Sequence, residues 1–433
     1  MYQKEYEAKL ITPAQAAAQV EEGSSLMHGL AMAEPPALLD AIAARLRSGD
    51  LKKLKIYSLL PLAPSCRSIL SPDLADCVEA YSFFVSGGER GLVRAGLDYF
   101  IPNHFHQVPR LITEFMELDV FITTVSPMDK AGYFSFGTAN DYTSTAARAA
   151  KLLMVEVNQH MPRVFGQSLL HVSEVDFVVE NHAPLLDMQI GEAKAEDEAI
   201  GKTIAGMVPD GACLQLGWGA LPSSLARFLE EHKDLGIHTE VFVPAFVNLI
   251  KKGAVTGRRK NLHPYEHVFT VAQGNQEMLS FLDDNPAMAS YPVSYTNHPA
   301  VIAQNDNMIS INSILEVDLL GQCNAEFLAG HQFSGTGGQL DFVRGAFDSK
   351  GGKSILAFHA TAKKGAVSRI VPRLEHGAMI TTPRMDVHYL VTEFGAVNLK
   401  GRSTRERALA IIGLAHPKFR DDLLREAENM YLL

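Results

Sequence analysis

The sequence predicts an α/β protein made of two similar open domains, each with a mostly parallel sheet. Three observations predict it. Short apolar runs alternate with helical patterns along the chain, the rhythm of strand–helix–strand units. The two halves echo each other in the order of their elements. At 433 residues the chain exceeds what one core normally serves, so two domains are expected.

Taken in order, a helical pattern at 13–22 runs into Val20-Glu21-Glu22-Gly23-Ser24-Ser25-Leu26, a turn and a short strand that lead to Gly29. Pro35-Pro36-Ala37-Leu38-Leu39 then opens a helix over 36–47, because proline suits a first helical turn whose N–H groups are unpaired anyway. The apolar runs 119–125 and 152–157 read as strands, with a helix at 143–150 between them. The stretch 182–195 reads as a linker, which divides the chain into domains at 1–187 and 188–433. After a helix at 192–207, the opening series repeats. Val208-Pro209-Asp210-Gly211-Ala212-Cys213-Leu214 leads to Gly217, then to Pro222-Ser223-Ser224-Leu225. Further strands are expected at 213–216, 308–312, 354–358 and 389–392, and helices at 222–232, 274–284 and 403–415. Two matching series point to a duplicated domain.

Composition removes several classes. With 39 basic and 49 acidic residues the formal charge is −10, which argues against a general nucleic-acid binder. The polar N-terminus lacks an apolar signal core, and no run approaches membrane-spanning length. Cys66, Cys77, Cys213 and Cys323 are scattered without a CxxC pair, against a disulfide framework or a zinc site and in keeping with a reducing compartment. A cytoplasmic protein is expected. His104-Phe105-His106 and His263-Pro264-Tyr265-Glu266-His267 bring ligand types close together, but neither has a zinc spacing. His104 and His106 would face opposite ways if extended. No metal is expected, and Asn103 with His104 is a candidate for a substrate wall.

Two glycine-rich turns and one carboxylate carry the chemistry. Gly217-Trp218-Gly219-Ala220-Leu221-Pro222 allows close backbone approach and leads into a helix N-terminus. Alone, it is an ordinary strand-to-helix turn. Ser334-Gly335-Thr336-Gly337-Gly338-Gln339 is neither a Walker A loop nor a dinucleotide fingerprint. Basic residues follow it, and Lys353, Lys363 and Lys364 could meet phosphates or form a solvated basic face. Glu240 ends an apolar stretch, Leu235-Gly236-Ile237-His238-Thr239-Glu240. A carboxylate beside a turn with unpaired N–H groups suits covalent acyl transfer, the turn holding an oxyanion.

Ordered matches run through the chain: Ala33-Glu34-Pro35-Pro36, Leu214–Pro222, Leu235–Glu240, Tyr291-Pro292-Val293-Ser294-Tyr295-Thr296-Asn297, Ser334–Gly345 and Ser368-Arg369-Ile370-Val371-Pro372. Along nearly its whole length the chain resembles the acetyl-CoA hydrolase/transferase family of class I CoA-transferases, in the branch acting on butyrate or 4-hydroxybutyrate. The resemblance implies Glu240 as the nucleophile. It also implies an oxyanion and CoA loop of Gly217, Trp218, Gly219, Gly337 and Gly338, and an asparagine, Asn312, near the carboxylate. Gly335, Lys353, Lys363 and Lys364 are candidates for binding CoA, and Asn103, His104, Asn312, Val241 and Phe242 for the substrate pocket. Acyl-CoA and a small carboxylic acid are the implied substrates, with no tightly bound cofactor, and a homodimer or higher homo-oligomer the implied assembly. The chain departs from the branch at Trp218, at Val241-Phe242-Val243-Pro244 and at Ser294. Those changes point toward another short acid, such as a C4–C5 dicarboxylate like succinate or itaconate. A thioester hydrolase and a non-catalytic CoA-binding protein stay open as alternatives.

Overall fold

A computed structural model describes residues 2–188 and 191–433. The chain forms two compact units. The first comprises Met1–Met188, Val268–Thr296 and His331–Gly335; the second comprises Gln189–His267, Asn297–Gly330 and Thr336–Leu433. Of the expected linker 182–195, positions 189 and 190 lie outside the described residues, and 181–188 form neither helix nor strand.

In the first unit seven parallel strands lie side by side. Their order is Phe177–Glu180, Leu152–Val157, Val120–Val125, Ser25–His28, Leu54–Ser58, Val78–Ser82 and Asp98–Phe100. Alternation along the strands builds two cores. Met27, Phe121, Leu153, Val155 and Val178 join one apolar cluster, while Leu26, Val120, Ile122, Met154 and Val179 join another. The helix Pro36–Ser48 buries Leu38, Leu39, Ile42, Ala43 and Leu46 and stops at Gly49, whose φ of 81° an L side chain resists. Its first N–H groups, on Ala37 and Leu38, donate to the Glu156 carboxylate at 2.9 and 3.1 Å. The helix expected over 13–22 ends at Ala17, where Arg45 gathers the carbonyls of Ala17 and Val20.

The segment 268–296 is stitched into this unit. Asn140 Nδ2 and the Gln167 N–H both donate to the Ser290 carbonyl, and the Val293 N–H donates to that of Asp141. Gly166 lies so close to Ser290 that a side chain there would strike its backbone.

The second unit holds a six-stranded sheet: Gly236–Ile237, Cys213–Leu216, Met308–Ser313, Lys353–Ala357, Tyr389–Thr392 and Gly395–Asn398, all parallel except the last. Numbered along the chain, its parallel strands lie in the order 2-1-3-4-5. The first unit repeats that order once Val78–Ser82 and Asp98–Phe100, which extend one edge, are set aside. The doubly wound, duplicated α/β architecture is therefore visible in the pairing itself. Its four cysteines are free thiols. Among the described residues no helix is long and apolar enough to cross a membrane, and no group of three or more His, Cys, Asp or Glu is placed to hold a metal ion.

Candidate active site

In a sheet of order 2-1-3-4-5 the crevice opens outside the carboxyl ends of strands 1 and 3, where the chain first reverses direction across the sheet. In the second unit these strands are Cys213–Leu216 and Met308–Ser313. A reciprocal amide pair joins them there: Gln215 Nε2 donates to Asn312 Oδ1 and Asn312 Nδ2 to Gln215 Oε1, both at 3.1 Å. Strand 2, Gly236–Ile237, runs on as His238-Thr239-Glu240. The His238 N–H donates to the Leu214 carbonyl, and the Thr239 hydroxyl lies 3.4 Å from the carbonyl of Leu216. Glu240 and the turn that starts at Gly217 therefore leave the sheet together at this edge.

Glu240 is half-buried, and its Oε2 accepts from Asn297 Nδ2 at 2.6 Å, a short charge-assisted bond. Asn297 is itself fully buried. Gly338 closes the third side. A methyl group placed on it would overlap both Glu240 Oε2 and Asn297 Nδ2. The backbone of Gly338, at φ −92° and ψ 8°, suits any residue, so here glycine is required by space. Gly337, at φ 54°, is needed for conformation, and so is Gly219, at φ 135° and ψ −177°. Gly219 caps the helix Ala220–Phe228, which opens two residues before the expected 222, so Pro222 sits inside the first turn.

The other expected site residues fall in different places. Phe242 is a core residue, fully buried and stacked on Phe246 at 5.6 Å, whereas Val241 is half-buried. Asn312 spends its amide on Gln215, as described. Lys353 donates from its Nζ to the Met207 carbonyl at 2.6 Å. It opens its strand, at the amino edge of the sheet, about 13 Å from the carboxyl end at a rise of about 3.3 Å per residue. Lys363 and Lys364 occupy the exposed tip of a hairpin, Thr361–Ala362 with Val367–Ser368, beyond the carboxyl end of that same strand. Both take positive φ, 49° and 56°.

Gly335 lies in the first unit, buried against Phe83 and Phe84, so its close approach is to protein. Asn103 and His104 also lie in that unit, and Asn103 Nδ2 donates to the carbonyls of Phe83 and Ile101. The chain turns through a 3-10 segment at Phe105–Gln107, which brings the rings of His104 and His106 to 6.0 Å instead of opposite faces.

Asn297 is the site residue that reasoning from sequence passed over. It stood inside a matched stretch, but no local pattern pairs it with a carboxylate 57 positions away. Pro299, opening the helix Pro299–Ile302, was the one signal of a fixed turn there.

An open α/β sheet that presents a carboxylate between an amide and a glycine at its switch point offers a place for a small ligand. The comparisons with known proteins give the family. The acetyl-CoA hydrolase/transferase N-terminal domain model matches residues 1–186 and the C-terminal domain model matches 274–427. The chain is 43% identical to the succinyl-CoA:cyclohexane-1-carboxylate CoA transferase of Geobacter metallireducens over 99% of this chain and 97% of that one. It is 41% identical to the 4-hydroxybutyrate coenzyme A transferase of Clostridium kluyveri, covering 98% and 99% respectively. The crystal structure of RipA from Yersinia pestis superposes with a TM-score of 0.97 at 50% identity, over the whole of both chains. The protein belongs to the acetyl-CoA hydrolase/transferase family. Glu240 falls between the two matched domain spans, within the full-length likeness.

Proposed function

We propose that this enzyme moves CoA from a short-chain acyl-CoA to a carboxylic acid through a thioester on Glu240. The observation that carries this reading is the Glu240 carboxylate gripped by Asn297 and walled by Gly338 at the switch point of the second unit's sheet. Asn297 holds Oε2, and Oε1 is assigned as the attacking oxygen. Oε1 adds to the thioester carbonyl carbon, and the electron pair moves onto the carbonyl oxygen. Backbone N–H groups of Gly217–Gly219 and Gly337–Gly338 stabilise that oxyanion. Collapse expels CoA thiolate and leaves an acyl-glutamyl anhydride. The thiolate adds to the glutamyl carbonyl and the acyl carboxylate departs, giving glutamyl-CoA. Asn297, still on Oε2, then donates to the glutamyl oxyanion. A second carboxylate reverses the sequence, so kinetics are ping-pong. Electrons balance at every step without a net proton, a metal or a bound cofactor.

The named relatives act on succinyl, cyclohexane-1-carboxyl and 4-hydroxybutyryl groups. For this chain we propose a short acid, with C4–C5 dicarboxylates among the first to try, because Trp218, Val241 and Ser294 depart from the branch pattern. Lys363 and Lys364 are the cations we assign to the CoA phosphates. An assembly of two or more copies belongs to the same reading, and light scattering on the purified protein measures it.

Intact-protein mass spectrometry with a panel of acyl-CoAs and no acceptor tests the mechanism. The expected result is a CoA adduct on the Glu240 peptide, discharged by one particular carboxylate. Transfer that survives in Glu240→Ala would overturn it, and release of acid without any acceptor would assign hydrolysis instead.

A further inference from the structure

The turn that carries Gly337 and Gly338 is held at both ends by side chains remote from the glutamate. Thr336 Oγ1 donates to Glu326 Oε1 at 3.1 Å, and Thr381 Oγ1 donates to the same oxygen at 2.9 Å. Thr381 Oγ1 in turn accepts from the Ala325 N–H at 3.0 Å. One residue on, Cys323 and Thr382 exchange backbone hydrogen bonds, 3.1 Å each way. At the far end of the turn Gln339 Nε2 donates to Thr382 Oγ1 at 3.1 Å. Thr336 and Gln339 are therefore tied to one pair of adjoining segments, 323–326 and 381–382. Glu326, Thr381, Thr382 and Gln339 are all buried. Asn324 fixes the base of Glu326, its Oδ1 accepting from the N–H groups of Glu326 and Phe327.

Between the two ties only Gly337 and Gly338 are left, and Gly337 stands at φ 54°. Two glycines by themselves are the most mobile dipeptide a chain can carry. Yet the backbone of Gly338 lies within reach of Glu240 Oε2 so closely that no side chain fits. A wall of that kind needs an anchor outside the glycines, and the hydrogen-bonded Thr336 hydroxyl and Gln339 amide, tied to buried Glu326 and Thr382, provide one.

We infer that Thr336 and Gln339, through Glu326 and Thr382, are positioning residues that set the distance between the Gly337–Gly338 backbone and the Glu240 carboxylate. In this role all four act on Glu240 through the turn. The inference rests on the reading of Glu240 as nucleophile.

Thr336→Val keeps the shape of the side chain and removes the donor, while Thr336→Ser keeps the donor. Steady-state transfer, the rate at which CoA becomes attached to Glu240 in a single turnover, and thermal melting are measured for both. The expected result for Thr336→Val is a fall of about 10–100-fold in kcat and in the adduct rate, since displacing a reacting group by about 1 Å costs that order. KM for acyl-CoA and the melting temperature stay near those of the parent, and Thr336→Ser recovers most of the rate. Equal losses in Val and Ser, or a parental rate in Val, would overturn the inference. If Thr336→Val does not fold, Thr382→Val severs the other tie and carries the same expectation and the same refutation. Glu240→Ala runs alongside. If it retains transfer, the nucleophile assignment falls and this inference with it; if it is silent while Thr336→Val is as fast as the parent, the positioning role alone falls.

Discussion

Gly338→Ala is the sharpest test of the site. The added methyl would stand 1.8 Å from Glu240 Oε2 and 2.2 Å from Asn297 Nδ2. Carbon and oxygen rest at about 3.5 Å, so the carboxylate must retreat by roughly 1.5 Å or the turn must withdraw by as much. The φ and ψ of Gly338 are open to alanine, so the backbone adds no conformational penalty of its own. The cost therefore falls on the glutamate and on the buried Asn297 amide that holds it. A misplacement of about 1 Å is worth on the order of 100-fold in rate, and this one is larger. We expect kcat to fall by at least about 100-fold while the melting temperature shifts little, because the half-buried carboxylate can swing toward solvent. Gly413→Ala is the control: it ends the helix Thr404–Gly413 with nothing within 4 Å of the new methyl, and leaves activity unchanged. Steady-state transfer and a thermal melt on the three proteins decide the matter. If Gly338→Ala turned over within a few-fold of the parent, the crowding at Glu240 would have no part in the reaction.

Asn297→Ala removes the 2.6 Å bond to the carboxylate, worth about 1.5–3 kcal/mol for a hydrogen bond to a charge, so kcat/KM drops by about 10–100-fold in the same assay. Gly219→Ala forces an L residue into a region reserved for glycine, and chemical denaturation should register a loss of about 1–3 kcal/mol along with weaker CoA binding. The pH dependence of stability should run against the usual acid lability. Burial is the main cause that pushes the carboxyls of Glu34, Asp141 and Glu156 up to about 7, although each accepts backbone N–H bonds that favour its ion. A raised acid is protonated in the fold while the unfolded chain has already ionised, so the folded state binds more protons between about pH 4.5 and 7. Stability then falls as pH rises through that window. Urea melts at pH 5 and pH 8 measure it, and Glu156→Gln should flatten the slope; an unchanged slope in that variant would remove Glu156 as a contributor.

Much of the fold was legible because burial on both faces leaves a largely apolar run, broken here only by Thr123, Thr124 and Glu156. Leu152–Val157 and Val120–Val125 were read at or within a residue of their ends for that reason. Leu54–Ser58 and Val78–Ser82 were not, since half-buried or exposed residues interrupt each run, and Asp98–Phe100 is too short to show a period. The return of 268–296 to the first unit left no trace in composition, because it is fixed by partners such as Asn140 and Asp141 more than a hundred positions earlier. Around the proposed site, the family resemblance singled out Glu240 together with the two glycine turns. Charge along the chain says nothing about which edge of a sheet a residue occupies, so Lys353, at the amino edge, and Lys363, beyond the carboxyl end, were grouped together. Asn297 left no local signal, since its partner is set by tertiary packing.

The shared strand order raises the question of why only one unit carries such a carboxylate. The turns after the first strand of each unit answer it. In the first unit a side chain on Gly29 would run into Thr123 Oγ1 and the carbonyl of Ala33, and the following Ala31–Ala33 turn is buried. The strand after it ends in Leu59-Leu60-Pro61, and the buried acid beside that turn, Glu34, accepts from the N–H groups of Leu62 and Ser65. In the second unit the corresponding Gly217 meets only the Ile311 carbonyl, at 3.9 Å, so the space above the turn is open. There strand 2 runs on to Glu240. The two turns thus differ in how closely their first glycine is packed, tight against Thr123 and Ala33 in the first unit and loose at Gly217 in the second. They differ also in what engages the nearby acid: backbone N–H groups hold Glu34 in the first unit, whereas a side-chain amide, Asn297, holds Glu240 in the second, with Gly338 pressed against it.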